Sequence, residues 1–355
     1  MSYRKDAETR PPASMTTVLA DRSVCAETPA LHAGPLASTL PQPGTSFGNR
    51  YTLEALVNQG GMGAIYAARD ERLGRKVAVK VMLDSVIRMP GSAERFEREA
   101  RVAATINHPN CVAVYDYGRD DNGYFLVLEW VEGQTLADLV TRSGPLEPKR
   151  AAHLMAQVCD GLSAIHALGF VHRDVKPQNI MVTRNANGDE QVKLLDFGIV
   201  GAIGGGDARL TQPGFSLGSP QYMAPEQALV EPADATSDVY SAGATLFFVL
   251  SGRPPYLGDS LSVMQQLLHA EPPDAPVALL DYPLAAVAKQ AMAKCRAMRP
   301  PGAAEFGKMI REAAASRTTN RSSDAVRARF PVALAAVVLI TGSVLAMLGA
   351  PSRAR

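Results

Sequence analysis

One eight-residue segment, HRDVKPQN at 172–179, combines an acid, two cations and an amide on a loop that contains a proline. Asp174 can orient a hydroxyl group, Lys176 can neutralise a phosphate, and Asn179 can offer an amide oxygen to Mg²⁺. A second acid, Asp196, follows in the tripeptide DFG, 17 residues after Asn179, where it can be a second magnesium ligand. The spacing therefore predicts a site that handles a phosphate group and a magnesium ion.

A glycine-rich turn, VNQGGMGAI at 57–65, lies between two predicted strands. Small residues let the backbone approach a polyphosphate and point N–H groups at it, although many such turns are simple hairpins. The turn gains weight from Lys80, which lies in an otherwise apolar strand and needs a partner there because an unpaired buried charge is costly. Glu99 on the following helix can be that partner. The alternative is a surface lysine.

Hydrophobic patterning predicts the elements that must position these residues. Strands predominate before Gly133 and helices after it, which implies an α+β fold of two lobes with a cleft between them. The predicted strands are 51–53, 64–66, 77–81, 112–117, 124–129 and 192–195, and the predicted helices are 93–106, 135–143, 149–168, 236–251, 260–269 and 284–293.

The motifs, together with APE at 224–226, follow the order and spacing of the protein kinase superfamily. The chain resembles the bacterial, eukaryotic-like (Hanks-type) serine/threonine protein kinases. GGMG at 60–63, HPN at 108–110 and YMAPEQ at 222–227 are typical of that branch. The resemblance covers about residues 51–314, and it implies the two-lobed protein kinase fold, with a β-rich N-terminal lobe that carries one regulatory helix and an α-helical C-terminal lobe.

The resemblance also implies a role for each site residue. Lys80 would bind the α- and β-phosphates of ATP and be held by Glu99. Asp174 would accept the proton of the substrate hydroxyl, and Lys176 would neutralise the γ-phosphate, as in serine/threonine kinases. The ligands of Mg²⁺, or of Mn²⁺, would be Asn179 and Asp196. The nucleotide would contact Val57, Asn58, Gln59, Gly60, Gly61, Met62, Gly63, Ala64, Ile65, Ala78, Lys80, Glu129, Val131 and Met181.

Supporting roles follow from the same resemblance. Residues 129–131 would form the hinge between the lobes, with Leu128 as the gatekeeper before it. Glu226 would pair with Arg299. Two residues are interpreted as structural. We expect His172 to be a packed residue rather than an acid–base group, and Asp238 to anchor backbone N–H groups. Four further histidines have no partner pattern and are interpreted as structural or surface residues: His108, His153, His166 and His269.

Two positions depart from the family pattern. The first glycine of the phosphate loop is replaced by Asn58, which tolerates positive φ better than other non-glycine residues, so the turn can survive with altered nucleotide affinity. The threonine expected after Gly218 is Ser219, which keeps the hydroxyl group.

Activation is expected to involve phosphorylation. Arg173, directly before Asp174, would bind a phosphate on the segment 196–226. Thr211 is the first candidate for autophosphorylation and Ser216 the second.

The composition limits the classes of function. The 355 residues include 36 basic and 35 acidic side chains, a formal net charge of +1, which argues against a general nucleic-acid-binding surface. Hydrophobic residues make up 46% of the chain, enough for a substantial core. The four cysteines are scattered, which is typical of a reduced, cytosolic protein.

The C-terminal part predicts a membrane anchor. Residues 330–350 form a run of 21 residues without a charge, and a helix of about 20 apolar residues spans a bilayer core. A buried core helix is the alternative. Four arginines lie between 317 and 329, before the run, and two lie after it, so the positive-inside rule predicts a single-pass protein of the inner (plasma) membrane with a cytoplasmic kinase domain. We find no signal-peptide pattern in residues 1–20.

The predicted organisation is a disordered tail at 1–47, a kinase domain at 51–314, a juxtamembrane linker at 315–329, a transmembrane helix at 330–350 and a short tail at 351–355. Small residues recur every fourth position within the helix, at 342, 346 and 350, which would allow two copies to pair.

Three functions are compatible with these patterns. The leading one is a membrane-tethered protein kinase that transfers the γ-phosphate of ATP to serine and threonine hydroxyls of proteins. The second is a membrane-bound pseudokinase scaffold, supported only by Asn58. The third is a small-molecule phosphotransferase, which APE at 224–226 argues against because it is typical of a platform for peptide substrates.

Overall fold

The structure, a computed structural model, describes residues 40–60, 63–83, 91–196, 220–276 and 282–316. Within these ranges a strand-rich lobe precedes a helical lobe, so the predicted two-lobed α+β architecture is confirmed. The first lobe consists of β1 (Ser46–Phe47), β2 (Tyr51–Gly60), β3 (Gly63–Asp70), β4 (Arg75–Met82), α1 (Ser92–Ala103), β5 (Val114–Asp120) and β6 (Gly123–Glu129). The second lobe consists of β7 (Gln134–Thr135), α2 (Leu136–Ser143), α3 (Pro148–Ala167), β8 (Ile180–Arg184), β9 (Glu190–Leu194), α4 (Pro225–Ala228), α5 (Ala235–Ser251), α6 (Ser260–His269), α7 (Pro283–Ala291) and α8 (Ala303–Ala315).

The sheet of the first lobe has the order β1-β2-β3-β4-β6-β5, and all its neighbouring strands are antiparallel. In β4, Val77, Val79 and Val81 are buried in a core on one face of the sheet. Ala78 and Lys80 alternate with them, since successive side chains of a strand point to opposite faces. The alternation therefore directs Lys80 to the face opposite the valine core.

Helix α1 covers the face of the sheet that bears Lys80. Its buried residues include Phe96, Glu99 and Ala103, which lie three or four positions apart and so share one side of the helix. The ring of Phe96 meets those of Tyr117 and Tyr124 edge-on, with centroid distances of 6.5 and 5.6 Å. These contacts fix α1 against β5 and β6 and place Glu99 on the inner side of the helix.

The second lobe is built around α3 and α5. Helix α3 begins at Pro148, a residue suited to the first turn because its missing N–H would have no helical partner there. Fourteen of the 17 residues of α5 are buried, as expected for a helix surrounded by protein. Helix α8 packs on α3 where Gly307 approaches Cys159, and a Cβ at position 307 would come within 2.9 Å of the Cys159 Cβ.

The sequence and the structure differ at a few boundaries. The sheet begins inside the segment 1–47 that we predicted as a tail, because Phe47 is fully buried and β1 pairs with β2. Strand β5 begins at Val114 rather than at 112, and α1 ends at Ala103 rather than at 106. The short elements β7, β8 and α4, and the terminal helix α8, were not predicted.

No helix in the described part of the chain is long and apolar enough to cross a membrane. The predicted transmembrane helix at 330–350 and the linker before it lie outside the described residues, apart from residues 315 and 316, as do residues 1–39 of the predicted tail.

Candidate active site

The loop between α3 and β8 brings together the three residues that the first motif singles out. The Nζ atom of Lys176 lies 2.9 Å from each carboxylate oxygen of Asp174. The Nδ2 atom of Asn179 donates to the Asp174 carbonyl at 2.9 Å and to its Oδ2 at 2.8 Å. Because the amide nitrogen of Asn179 faces Asp174, its amide oxygen is the atom that can coordinate a cation.

Asp238 of α5 fixes the backbone of this loop by hydrogen bonds. Its carboxylate accepts the N–H groups of His172 at 2.7 Å and Arg173 at 2.8 Å, and it lies 2.8 Å from Nε2 of His166. Arg173 has a φ of 64°, a left-handed conformation that is costly for a residue with a side chain and that these bonds stabilise. The predicted anchoring role of Asp238 is confirmed. The role of His166 was missed, because no pattern in the sequence links it to a residue 72 positions away.

His172 is fully buried, as predicted for a packed residue. Its Nε2 lies 2.9 Å from the carbonyl oxygen of Leu195, which can only accept, so Nε2 carries the proton. Its Nδ1 then accepts the N–H of Asp174 at 3.3 Å. The imidazole therefore bridges the loop to the residue that precedes Asp196.

Lys80 and Asp196 form an ion pair of 2.6 Å between the two lobes. Burial is the largest influence on the pKa of Asp196 and raises it, but the Lys80 ammonium and further neighbouring groups together lower this pKa below its ordinary value, so the carboxylate is ionised at neutral pH. Lys176 contributes to the same lowering of the Asp196 pKa, so its charge also acts on this carboxylate. The predicted pairing of Lys80 with Glu99, which is buried on the inner side of α1, stays a prediction.

The glycine-rich segment forms a hairpin of β2 and β3 in which Gly60 pairs with Gly63, and residues 61 and 62 lie outside the described ranges. A Cβ at Gly63 would lie 2.3 Å from the carbonyl oxygen of Val81, so only glycine lets β3 approach β4 so closely. Asn58 accepts the N–H of Gln59 through its own side chain at 2.8 Å. Asn58 lies within β2 and does not adopt a positive φ, so the tolerance that we expected of asparagine is not needed here.

The other predicted nucleotide-contact residues occupy the adjoining strands. In β3, Ala64 is buried and Ile65 is half-buried. Ala78 in β4 and Met181 in β8 are also half-buried, and Met181 pairs with Thr135 at the start of the second lobe. Their contact with a nucleotide stays a prediction, as does the ATP-binding role of Val57, which is exposed on β2.

The predicted hinge is attached to the second lobe through Glu129. Its carboxylate accepts the backbone N–H of Ala113 at 3.1 Å and the ammonium of Lys193 in β9 at 2.8 Å. Leu128 before it is buried, and Val131 after it is half-buried. Lys193 was not predicted, because its only local signal is a charge in a predicted strand.

The predicted pair of Glu226 and Arg299 is confirmed, with contacts of 2.7 and 2.9 Å between the guanidinium and the two carboxylate oxygens. Ser237 also donates to Glu226 at 2.5 Å, and Arg299 donates to the backbone carbonyls of Ala293, Lys294 and Thr236. Burial raises the pKa of Glu226, but the bonds from Arg299 and Ser237 lower it below its ordinary value. The pair therefore ties α4 to α5 and to the chain before α8.

The donor set suits ATP and a magnesium ion. The amide oxygen of Asn179 and the carboxylate of Asp196 are hard oxygen ligands of the kind that Mg²⁺ prefers. The ammonium groups of Lys80 and Lys176 supply positive charge for phosphate groups beside them. Within the described ranges, no group of three or more His, Cys, Asp or Glu side chains could hold a metal ion.

Comparisons with known proteins agree with this geometry. Residues 51–319 match the family described as protein kinase domain. The serine/threonine-protein kinase PknB of Mycolicibacterium smegmatis is 43% identical over 265 residues, which are 73% of this chain and 42% of that protein. The probable serine/threonine-protein kinase SCO3848 of Streptomyces coelicolor is 44% identical over 230 residues, 63% of this chain and 34% of that protein. The chain thus spans about two fifths of the length of the first of these relatives.

Solved structures share the fold. The crystal structure of the Mycobacterium tuberculosis PknI kinase domain superposes with a TM-score of 0.61 at 24% identity, covering 78% of this chain and all of that one. The resemblance inferred from the motifs is confirmed by the family match and by the bacterial relatives.

Proposed function

The chain belongs to the protein kinase family, and from that premise we propose that it is an ATP- and Mg²⁺-dependent serine/threonine protein kinase. The observation that carries the proposal is the cluster of Asp174, Lys176 and Asn179 beside the ion pair of Lys80 and Asp196. In this cluster a carboxylate, two ammonium groups and two potential metal ligands are held by separate elements of the two lobes.

The chain's own residues account for most of the reaction, because phosphoryl transfer depends mainly on positioning and charge neutralisation. Asp174, oriented by Lys176 and Asn179, accepts the proton of a serine or threonine hydroxyl that attacks the γ-phosphate. The bond between the γ-phosphorus and the oxygen shared with the β-phosphate breaks, and ADP leaves. Lys80 binds the α- and β-phosphates, and Lys176 neutralises charge on the transferred group. Mg²⁺, when bound by Asn179 and Asp196, would neutralise further phosphate charge.

Phosphotransfer by the full-length protein tests this function. Purified protein is incubated with labelled ATP, Mg²⁺ and a generic protein substrate, beside the Asp174→Asn variant. The proposal expects label on serine and threonine of the substrate with the wild type, and less than a tenth of that label with the variant. ATP binding without transfer would favour the pseudokinase scaffold, and transfer to small alcohols alone would favour a small-molecule phosphotransferase.

We further propose that the kinase is a single-pass protein of the inner membrane, with its catalytic domain in the cytoplasm. The support is the uncharged run at 330–350 and the greater number of arginines before it. Protease added to intact spheroplasts should then spare the kinase domain, which should sediment with membranes until residues 330–355 are removed. Recovery of the full-length protein in the soluble fraction would contradict the anchor.

Autophosphorylation at Thr211, promoted by pairing of two membrane helices, is the proposed route of activation. Its support is the position of Arg173 directly before Asp174, since a phosphothreonine can form charge-assisted bonds with an arginine. Mass spectrometry of the wild type and of Asp174→Asn should find phosphate at Thr211 in the wild type alone. Gly342→Ile should lower that phosphorylation if the helices pair, and full activity of Thr211→Ala would contradict the route.

A further inference from the structure

Gln227, the third residue of α4, uses both ends of its side-chain amide. The Oε1 atom accepts the N–H of Ala224, the residue before the helix, at 3.1 Å. The Nε2 atom donates to the carbonyl oxygen of Arg173 at 2.9 Å, across 54 positions of the chain. The first bond is an ordinary feature of a helix N-terminus, whereas the second reaches into the catalytic loop.

The carbonyl that Gln227 binds belongs to the peptide bond between Arg173 and Asp174. The N–H of the same peptide donates to Nδ1 of His172 at 3.3 Å. A peptide group is planar, so two bonds on its opposite sides define its orientation. This orientation sets the direction in which the Cα–Cβ bond of Asp174 leaves the backbone.

The peptide needs such support because Arg173 has the left-handed φ of 64°. Asp238 holds the N–H groups before this turn, and Gln227 holds the carbonyl after it. A non-glycine residue in this conformation is less stable than in the right-handed region by about 1–2 kcal/mol. Without the bond to the carbonyl, the peptide can rotate towards a more relaxed conformation and carry Asp174 with it.

We propose that Gln227 is a positioning residue for Asp174, which it keeps in place by hydrogen bonding to the carbonyl of Arg173. The inference rests on the proposed kinase function, in which Asp174 receives the substrate proton. Through this bond the position of α4, which begins at the end of the segment 196–226, is coupled directly to the catalytic carboxylate.

Three variants separate positioning from helix capping. Gln227→Glu keeps an acceptor for the Ala224 N–H and adds a charge that favours a helix N-terminus, but it turns a carboxylate oxygen towards the Arg173 carbonyl. Gln227→Lys keeps a donor for that carbonyl and loses the acceptor. Gln227→Met loses both groups at similar size.

The inference expects kcat to fall about tenfold in Gln227→Glu and Gln227→Met, and to stay within about threefold of the wild type in Gln227→Lys. KM for ATP should be unchanged in all three, because none of the nucleotide contacts is altered. The unfolding midpoint of Gln227→Glu should match that of the wild type. A variant whose kcat fell only because its fold was destabilised would show a lower midpoint as well.

The opposite ranking would overturn the inference. If Gln227→Glu keeps the wild-type kcat while Gln227→Lys and Gln227→Met lose it, Gln227 acts only as a helix cap. The rate of amide hydrogen exchange at Arg173 and Asp174, measured by NMR, is a readout that does not depend on activity. This exchange should be faster in Gln227→Glu than in Gln227→Lys. A wild type without phosphotransfer would overturn the kinase function alone, and unchanged exchange in Gln227→Glu would overturn the positioning role alone.

Discussion

Two aspartates of the second lobe, Asp238 and Asp174, accept several hydrogen bonds each, yet their surroundings differ. The side chain of Asp238 is 1% exposed and binds two backbone N–H groups and a histidine, whereas that of Asp174 is 48% exposed and binds the tips of Lys176 and Asn179. A carboxylate enclosed by fixed donors can hold a backbone conformation. An exposed carboxylate that is held by side-chain donors can also accept a bond from a substrate.

Two ion pairs, Glu226 with Arg299 and Lys80 with Asp196, differ in the same way. The Glu226 and Arg299 side chains are 3% and 0% exposed, and each has further bonds. The side chains of Lys80 and Asp196 are 13% and 25% exposed. We call the first set, with Asp238, the buried anchor, and the second, with Asp174, the open cleft. We therefore expect the anchor to maintain the fold and the cleft to perform the proposed chemistry.

The largest expected effect lies in the buried anchor. Arg299→Met leaves the Glu226 carboxylate buried without its cation, so the free energy of unfolding should fall by about 3–5 kcal/mol. Arg296→Gln is a matched control, because Arg296 also contacts Glu226, at 3.7 Å, but is partly exposed and should cost less than about 1 kcal/mol. Denaturant unfolding measures both. Equal stability of the two variants would contradict the claim that the buried Arg299 stabilises the fold more than the partly exposed Arg296 does.

The next effect lies in the open cleft. Lys80→Met removes the cation beside Asp196 and should lower phosphotransfer at least about a hundredfold, a loss of roughly 2.7 kcal/mol in transition-state stabilisation. Unfolding free energy should change by less than about 1 kcal/mol, since the pair is partly exposed. A variant that keeps more than about a tenth of the wild-type rate contradicts the assignment of Lys80.

A pH dependence should sharpen the description of the surroundings of the anchor, where the carbonyl of Lys294 accepts a bond from Arg299. Burial lowers the pKa of Lys294 to about 8, although its ammonium bonds to Tyr256 and to the carbonyl of Leu267. Between this value and the ordinary pKa of 10.5 the unfolded chain binds more protons at this site, so stability rises with pH there. From pH 8 to pH 10 the wild type should gain about 1 kcal/mol relative to Lys294→Met. A constant difference in unfolding free energy would contradict the lowered pKa.

The smallest effect concerns the backbone just after α4. Val230 has a φ of 62° and is 43% exposed, so glycine relieves strain with a limited loss of packing. Val230→Gly should stabilise the fold by about 0.5 kcal/mol and leave phosphotransfer unchanged, while Val230→Ala should give no gain. Thermal unfolding compares the two variants. A greater stability of Val230→Ala than of Val230→Gly would contradict the backbone strain at this position.

The residues of the cleft follow from local sequence patterns, whereas the pairing of Glu226 with Arg299 and the anchoring role of Asp238 were predicted only through the resemblance to the kinase family. Asp174, Lys176 and Asn179 lie in one short segment with a recognisable spacing, and Lys80 interrupts an apolar strand. Strand and helix types follow from local periodicity, so most elements were predicted within a few residues.

The missed features are contacts between distant parts of the chain. His166 meets Asp238 across 72 positions, Lys193 meets Glu129 across 64, and Gln227 meets Arg173 across 54. None of these pairs has a periodicity that relates its members, since each depends on how elements pack. The buried strand β1 was missed because a two-residue strand is too short to show alternation.

The most direct test of the contrast between anchor and cleft substitutes asparagine for each aspartate in turn. We measure the unfolding free energy and the phosphotransfer rate of Asp174→Asn and Asp238→Asn. The account predicts that Asp174→Asn loses transfer by about a thousandfold and keeps its stability within about 0.5 kcal/mol, whereas Asp238→Asn loses about 1–3 kcal/mol of stability. Transfer above about a tenth of the wild-type rate in Asp174→Asn, or wild-type stability in Asp238→Asn, would contradict it.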